Sequence, residues 1–109
     1  MLADKISRLR IFSDDEGRLN RSLLDVGGSA LVVSNFTLAA NYNHGNRPDY
    51  FAGAAPDEAN ALYLRFIQMM RELLPCECGK FGADMQIDMQ ADGPVTIVMD
   101  TDVLKQKKR

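Results

Sequence analysis

The chain has 109 residues, 46% of them hydrophobic and 26% charged, with a formal net charge of −2. That length holds one domain with one modest core, and an acidic balance does not advertise a nucleic acid such as DNA as partner. The apolar runs at Ala30–Val33 and Val95–Met99 are too short to span a membrane, and the charged start "MLADKISRLR" is no secretory signal. The expectation is therefore a cytoplasmic address with no membrane partner.

Leu2, Ile6 and Leu9 stand four and three apart among charged residues, which predicts an amphipathic helix from the first residues onward. No capping residue precedes it, an abrupt start for a complete domain. "SDDEG" (Ser13–Gly17) and "DVGGS" (Asp25–Ser29) read as turns. Gly27–Gly28 lacks the lysine and the following helix of a phosphate-binding loop, so it too is a tight turn.

"ALVVSNFTL" (Ala30–Leu38) is apolar and β-branched with little alternation, which predicts a strand buried on both faces. The Asn-, Gly- and Pro-rich stretch Ala39–Ala55 is a long loop of the kind that is functional or mobile. Pro56 suits the first position of a helix, with Asp57 and Glu58 favourable in its first turn. Leu62, Phe66, Met69 and Leu73 form its expected core stripe, and Pro75 stops it.

Cys76 and Cys78 are poorly placed for a mutual disulfide, and the one histidine, His44, is far upstream. They read as inert thiols near a helix end, and no metal site is expected. Met85, Ile87, Met89 and Ala91 then alternate with polar residues, and Val95, Ile97 and Met99 continue the pattern beyond Asp92–Gly93. An Asp-Gly between two alternating runs predicts a β-hairpin.

Four of the 13 basic residues fall in the last five positions, Lys105, Lys107, Lys108 and Arg109, leaving 9 basic against 15 acidic residues elsewhere. Residues 101–109 read as a solvated, disordered basic tail. The fold class is α+β: a mainly antiparallel sheet packed against one long helix, with a short N-terminal helix. No nucleophile elbow, P-loop or zinc-protease motif is present in the sequence.

The segments "VVSNFTLAAN" (Val32–Asn41), "HGNRPDYF" (His44–Phe51), "GKFGADMQI" (Gly79–Ile87) and "DGPVTIVMD" (Asp92–Asp100) occur in this order. With "LADKISRLRIFSDDEGRLNRSLLDVGG" before them, they make a chain that resembles the D-aminoacyl-tRNA deacylase family from Leu2 to about Asp100. The resemblance implies a partial deacylase-like barrel as a single domain over 1–109, and hydrolysis of the ester that joins a D-amino acid to tRNA. It also implies removal of glycine mischarged on tRNA-Ala, a role in chiral proofreading, a cytoplasmic homodimer, and no cofactor.

The family's Ser-Gln-Phe-Thr strand carries onto Ser34, Phe36 and Thr37 as catalytic residues, with Asn35 in the place of the Gln. Its Asn-x-Gly-Pro-x-Thr hairpin carries onto Gly93, Pro94 and Thr96, with Ala91 in the place of the Asn. Asn35, Met85, Gly93, Pro94, Val95 and Thr96 are thereby expected to bind the aminoacyl-tRNA 3′ end and select its chirality. The Gly-Pro bond is expected in the cis form and contributed across the dimer interface. The backbone N–H groups at the end of the Ser34–Thr37 strand, helped by the Ser34 or Thr37 hydroxyl, are the expected oxyanion donors.

The family's N-terminal strands, which precede the helix beginning at Leu2, have no counterpart in the sequence, so a shortened deacylase domain is expected. The alternative is a chain that keeps tRNA-end binding or dimerisation without turnover. Arg47 and the basic tail are the expected phosphate contacts.

Overall fold

The computed structural model describes residues 1–50 and 52–104, with side chains of Val103 and Leu104 left aside. The chain folds as two compact units, one comprising Met1–Gly28 and the described residues from Gln86 onward, the other Ser29–Met85.

The first unit opens with α1 (Leu2–Arg8). Its buried line is Ala3 and Ser7, while Leu2, Ile6 and Leu9 are half-buried. The expected stripe is therefore displaced by one residue. Small side chains at 3 and 7 let the following chain approach the helix backbone, and the Leu24 N–H donates to the Ser7 carbonyl at 3.3 Å. The Ser7 hydroxyl turns back onto the Asp4 carbonyl at 2.8 Å and so is satisfied where it is buried.

Two strands not anticipated from the sequence, β1 (Phe12–Ser13) and β2 (Leu19–Arg21), pair antiparallel around the acidic turn. Asp14 organises that turn by accepting from the N–H groups of Glu16 at 2.9 Å and Arg18 at 3.0 Å. Gly17 sits at φ +80°, where a side chain would be strained. In the next turn the Ser22 N–H donates to Asp25 at 2.8 Å, and the Asp25 N–H donates to the Ser22 hydroxyl at 3.1 Å.

These backbone bonds hold both carboxylates below the usual aspartate range, from Arg18 first for Asp14 and from Ser22 first for Asp25. A lowered folded pKa contributes stability above the unfolded value and loses it as pH falls through the folded one. Stability is therefore expected to decline as pH drops below about 4. Asp25→Asn is expected to flatten that decline, measured as the urea midpoint between pH 7 and pH 3. An unchanged pH slope in the variant contradicts the assignment.

From Gln86 to Asp100 no residue is in a strand, and the expected hairpin does not form. Most apolar positions expected to face a core are exposed, Met89 to 79% and Ile87 to 54%, while Met85 and Met99 are half-buried. Two alternating segments make a stable hairpin only with a third strand or a helix to cover one face. The chain still bends at Asp92–Gly93, and Gly93 adopts φ +111°, which only glycine takes cheaply.

No peptide bond among the described residues is cis, so the expected cis Gly93–Pro94 bond is trans. Trans is the lower-energy form by about 0.5–1 kcal/mol unless the surroundings lock the alternative, and this bend is exposed. The expected tail begins instead with a short helix over Thr101–Leu104, where the Asp102 N–H donates to Asp100 at 2.9 Å. Residues 105–109 lie outside the described residues.

The second unit contains β3 (Ala30–Val32), the long helix α2 (Pro56–Leu73) and β4 (Cys76–Cys78). The helix bounds are those its prolines predict. Its buried residues, however, are Ile67 and Met70, followed by Leu74 at the C-cap, whereas Leu62 is 60% exposed. As in α1, the enclosed stripe lies one residue after the expected one.

β3 and β4 pair in parallel, Ala30 with Cys76 and Val32 with Cys78, and α2 packs against β4. A parallel pair needs a long crossover, which α2 supplies. Among the described residues the strands thus form one antiparallel and one parallel pair rather than a mainly antiparallel sheet. With one neighbouring strand, β3 is not buried on both faces, and Leu31 is 62% exposed. The cysteines sit on β4 just after the end of α2, Cys76 half-buried and Cys78 exposed. Arg71 donates to the Cys76 carbonyl at 3.2 Å and lies 3.7 Å from the Cys78 sulfur.

Candidate functional site

The segment Ser34–Thr37 follows directly on β3, and its conformation differs from a continued strand. Val33 and Ser34 are half-buried and lie outside the strand, and Asn35 caps a 3₁₀ helix over Phe36–Ala39. Asn35 has φ −150° and ψ 96°, and its side-chain oxygen accepts from the Thr37 N–H at 3.1 Å. It also accepts from the Thr37 hydroxyl. An Asn at this position closes a local turn that competes with strand pairing, which explains why the β-prone run stops at Val32.

The consequence for chemistry is direct. Both Thr37 groups expected to face an oxyanion are engaged with Asn35, so they become donors to a ligand only by exchanging that partner. Phe36 is 70% exposed rather than enclosed, and its ring meets Tyr50 edge-on, with centroids 4.9 Å apart and planes at 75°. Tyr50 is positioned by the loop, which is closed by reciprocal backbone bonds between Asn41 and Asp49 at 2.7 and 2.9 Å. His44 and Arg47 lie exposed on the closed loop between them.

Met85 joins this neighbourhood through Gly79. A Cβ on Gly79 would lie 2.5 Å from the Met85 sulfur and 3.7 Å from a Val33 methyl, so both side chains cover the bare face of that glycine. Met85 is thereby brought to the residue preceding Ser34. Gly93, Pro94, Val95 and Thr96 belong to the other unit, where all four are exposed.

Tyr63 is the residue that sequence reasoning missed. From α2 its hydroxyl reaches the Gly79 carbonyl at 2.6 Å and the Val32 carbonyl at 3.1 Å. The available signal was a polar-tipped aromatic within a helix otherwise facing apolar neighbours, since a half-buried tyrosine hydroxyl seeks a partner. Burial pushes its pKa above the usual tyrosine value, Cys78 adds to the rise, and the Gly79 and Ser34 backbones oppose it.

Among the described residues no group of three or more His, Cys, Asp or Glu side chains is placed to hold a metal. Among the same residues no helix is long and apolar enough to cross a membrane. A cavity of about 420 Å³ in the first unit is lined by Leu9, Ile11, Leu19 and Ile97 with Lys5, Arg8 and Arg10. It contains none of the expected site residues, and its arginines are engaged, Arg8 with Asp4 at 2.9 Å and Arg10 with Asn20 at 3.1 Å.

Comparison with known proteins gives a consistent set of relatives. The sequence profile of the family described as D-Tyr-tRNA(Tyr) deacylase matches residues 1–100. A D-aminoacyl-tRNA deacylase of Jannaschia sp. (strain CCS1) is 54% identical over 101 residues, covering 92% of this chain and 69% of the relative. That of Paracoccus denitrificans (strain Pd 1222) is 52% identical over 101 residues, covering 92% and 68%. Among solved structures, one titled c-Myc DNA Unwinding Element Binding Protein superposes with a TM-score of 0.79 at 37% identity, covering 88% of this chain and 66% of that one. The chain thus spans about two thirds of the length of these proteins.

Proposed function

The chain belongs to the D-Tyr-tRNA(Tyr) deacylase family, and from that premise we propose that it hydrolyses the ester of D-aminoacyl-tRNA, releasing the D-amino acid and free tRNA. The observation that carries the reading is the match over residues 1–100 together with relatives above 50% identity that bear the deacylase name. The proposed site is Ser34–Thr37 with Met85, completed by Gly93–Thr96 from a second copy of the chain in a homodimer.

Ester hydrolysis requires a water held at the carbonyl and donors aimed at the oxygen on which charge develops. In the proposed mechanism the ester carbonyl docks at the start of the 3₁₀ helix. The Thr37 N–H and hydroxyl then leave Asn35 for the developing oxyanion, and the ribose hydroxyl of the substrate assists the attacking water. This division of labour suits a segment that offers donors and no basic side chain.

Chirality is selected by exclusion. Backbone carbonyls at Gly93–Pro94 occupy the space an L side chain would need, and hydrogen alone, or a D side chain directed elsewhere, fits. Discrimination by clash is the stronger device where attractive contacts to the two isomers are nearly equal. The same gate admits glycine, so glycyl-tRNA mischarged on tRNA-Ala belongs to the proposed substrates. A proofreading role in the cytoplasm follows from that substrate set.

The experiment is release of labelled D-tyrosine from D-Tyr-tRNA by the purified 109-residue chain. Turnover above the buffer rate is expected. A demonstrably folded protein with no release contradicts the reading and leaves binding of the tRNA end without turnover as the alternative.

A further inference from the structure

We infer that Tyr63 is a positioning residue of the proposed site, its hydroxyl tying α2 to the end of β3 and to the chain leaving β4, and so fixing where Ser34–Thr37 begins. The inference rests on the functional reading above and adds to it a residue outside the motifs that carry that reading.

Two carbonyls converge on this one hydroxyl, from Gly79 at 2.6 Å and from Val32 at 3.1 Å. A tyrosine hydroxyl has a single hydrogen to donate, so it serves one carbonyl at a time, and the Gly79 contact is the shorter. The Val32 carbonyl already accepts from the Gly79 N–H at 2.8 Å. Pairing of the two strands at this point is therefore satisfied without Tyr63, and what the hydroxyl adds is a link from the helix to both exits.

Those exits lead to the residues of interest. Val32 is two residues before Ser34, and Gly79 carries Met85 on its bare face beside Val33. The ring is held in turn by Phe81, with centroids 6.0 Å apart at 41°. A site whose donors come from backbone depends on where the backbone is placed, and misplacement by about 1 Å costs on the order of 100-fold in rate.

Tyr63→Phe removes one oxygen and keeps the ring. For hydrolysis of D-Tyr-tRNA, kcat is expected to fall by about 10- to 100-fold with KM little changed. Ser22→Ala, in the other unit, serves as a comparison of general destabilisation and is expected to leave kcat unchanged where the protein is folded. Amide hydrogen exchange is the second readout. In Tyr63→Phe it is expected to accelerate at Val33–Thr37 and after Gly79 while α1 stays at its wild-type rate.

A kcat retained in Tyr63→Phe overturns the inference while the functional reading stands. Equal loss in Tyr63→Phe and Ser22→Ala, or exchange accelerated evenly along the chain, also overturns it. Wild-type protein without activity overturns the functional reading instead, and the exchange pattern then decides whether Tyr63 places this segment.

Discussion

Met70→Ala is expected to lower the unfolding free energy by about 2–5 kcal/mol, the range for emptying a well-packed site of a long apolar side chain. Met70 is 1% exposed and is the largest fully buried side chain in the chain's described residues. It lies on α2, the helix that packs against β4 and links the two parallel strands. The loss is large against the total of about 5–15 kcal/mol that holds a small domain together.

Leu62 provides the contrast. It belongs to the stripe that sequence periodicity selects, yet it is 60% exposed, so Leu62→Ala is expected to change stability by less than about 0.5 kcal/mol. Urea midpoints of the two variants check the assignment. Equal losses, or a larger loss at Leu62, contradict enclosure of the Ile67–Met70 face.

Thr37→Val is expected to reduce kcat for D-aminoacyl-tRNA hydrolysis by about 10²–10³-fold, the effect of removing one oxyanion donor. The substitution keeps the branched shape and the backbone N–H and removes only the hydroxyl. Thr37 is exposed, and in the structure its hydroxyl bonds Asn35, so the change in stability is expected to stay within about 1 kcal/mol. Steady-state kinetics with folded variant separate the two effects. A kcat preserved within about threefold contradicts a transition-state role for the hydroxyl.

How much was legible in the sequence depended on whether a feature is decided locally. Pro56 and Pro75 fix the ends of α2 through backbone geometry that no distant contact overrides, and both held. The turns at Ser13–Gly17 and Asp25–Ser29 also held, because Asp14, Gly17, Ser22 and Asp25 carry their own partners. Which face of a helix is enclosed is a tertiary matter. Both Leu62/Phe66/Met69/Leu73 and Tyr63/Ile67/Met70/Leu74 have helical spacing, and only packing chooses between them.

The displacement in α1 and α2 runs in the same direction, one residue towards the C-terminus. One residue is about 100° of azimuth on a helix of 3.6 residues per turn, so each helix is turned about its axis by what it packs against. The hairpin expected over Met85–Met99 failed for a different reason. Its alternation states which face would be buried and cannot supply the neighbour that buries it.

The candidate site was legible as a motif and not as a conformation. Ser34, Phe36 and Thr37 were singled out by resemblance, but the β-prone letters around them concealed the turn made by Asn35. Tyr63 was invisible as a site residue because its contribution is one hydroxyl reaching two backbone carbonyls across the fold, and backbone leaves no signature at the partner positions.

The proposed hydrolysis of aminoacyl-tRNA esters with rejection of the L isomer can be tested in a single assay. Parallel hydrolysis of D-Tyr-tRNA and L-Tyr-tRNA by the purified, folded chain tests it most directly. Release of D-tyrosine well above the buffer rate and of L-tyrosine at the buffer rate is expected. Hydrolysis of both isomers at similar rates contradicts the chiral gate, and hydrolysis of neither contradicts the enzyme.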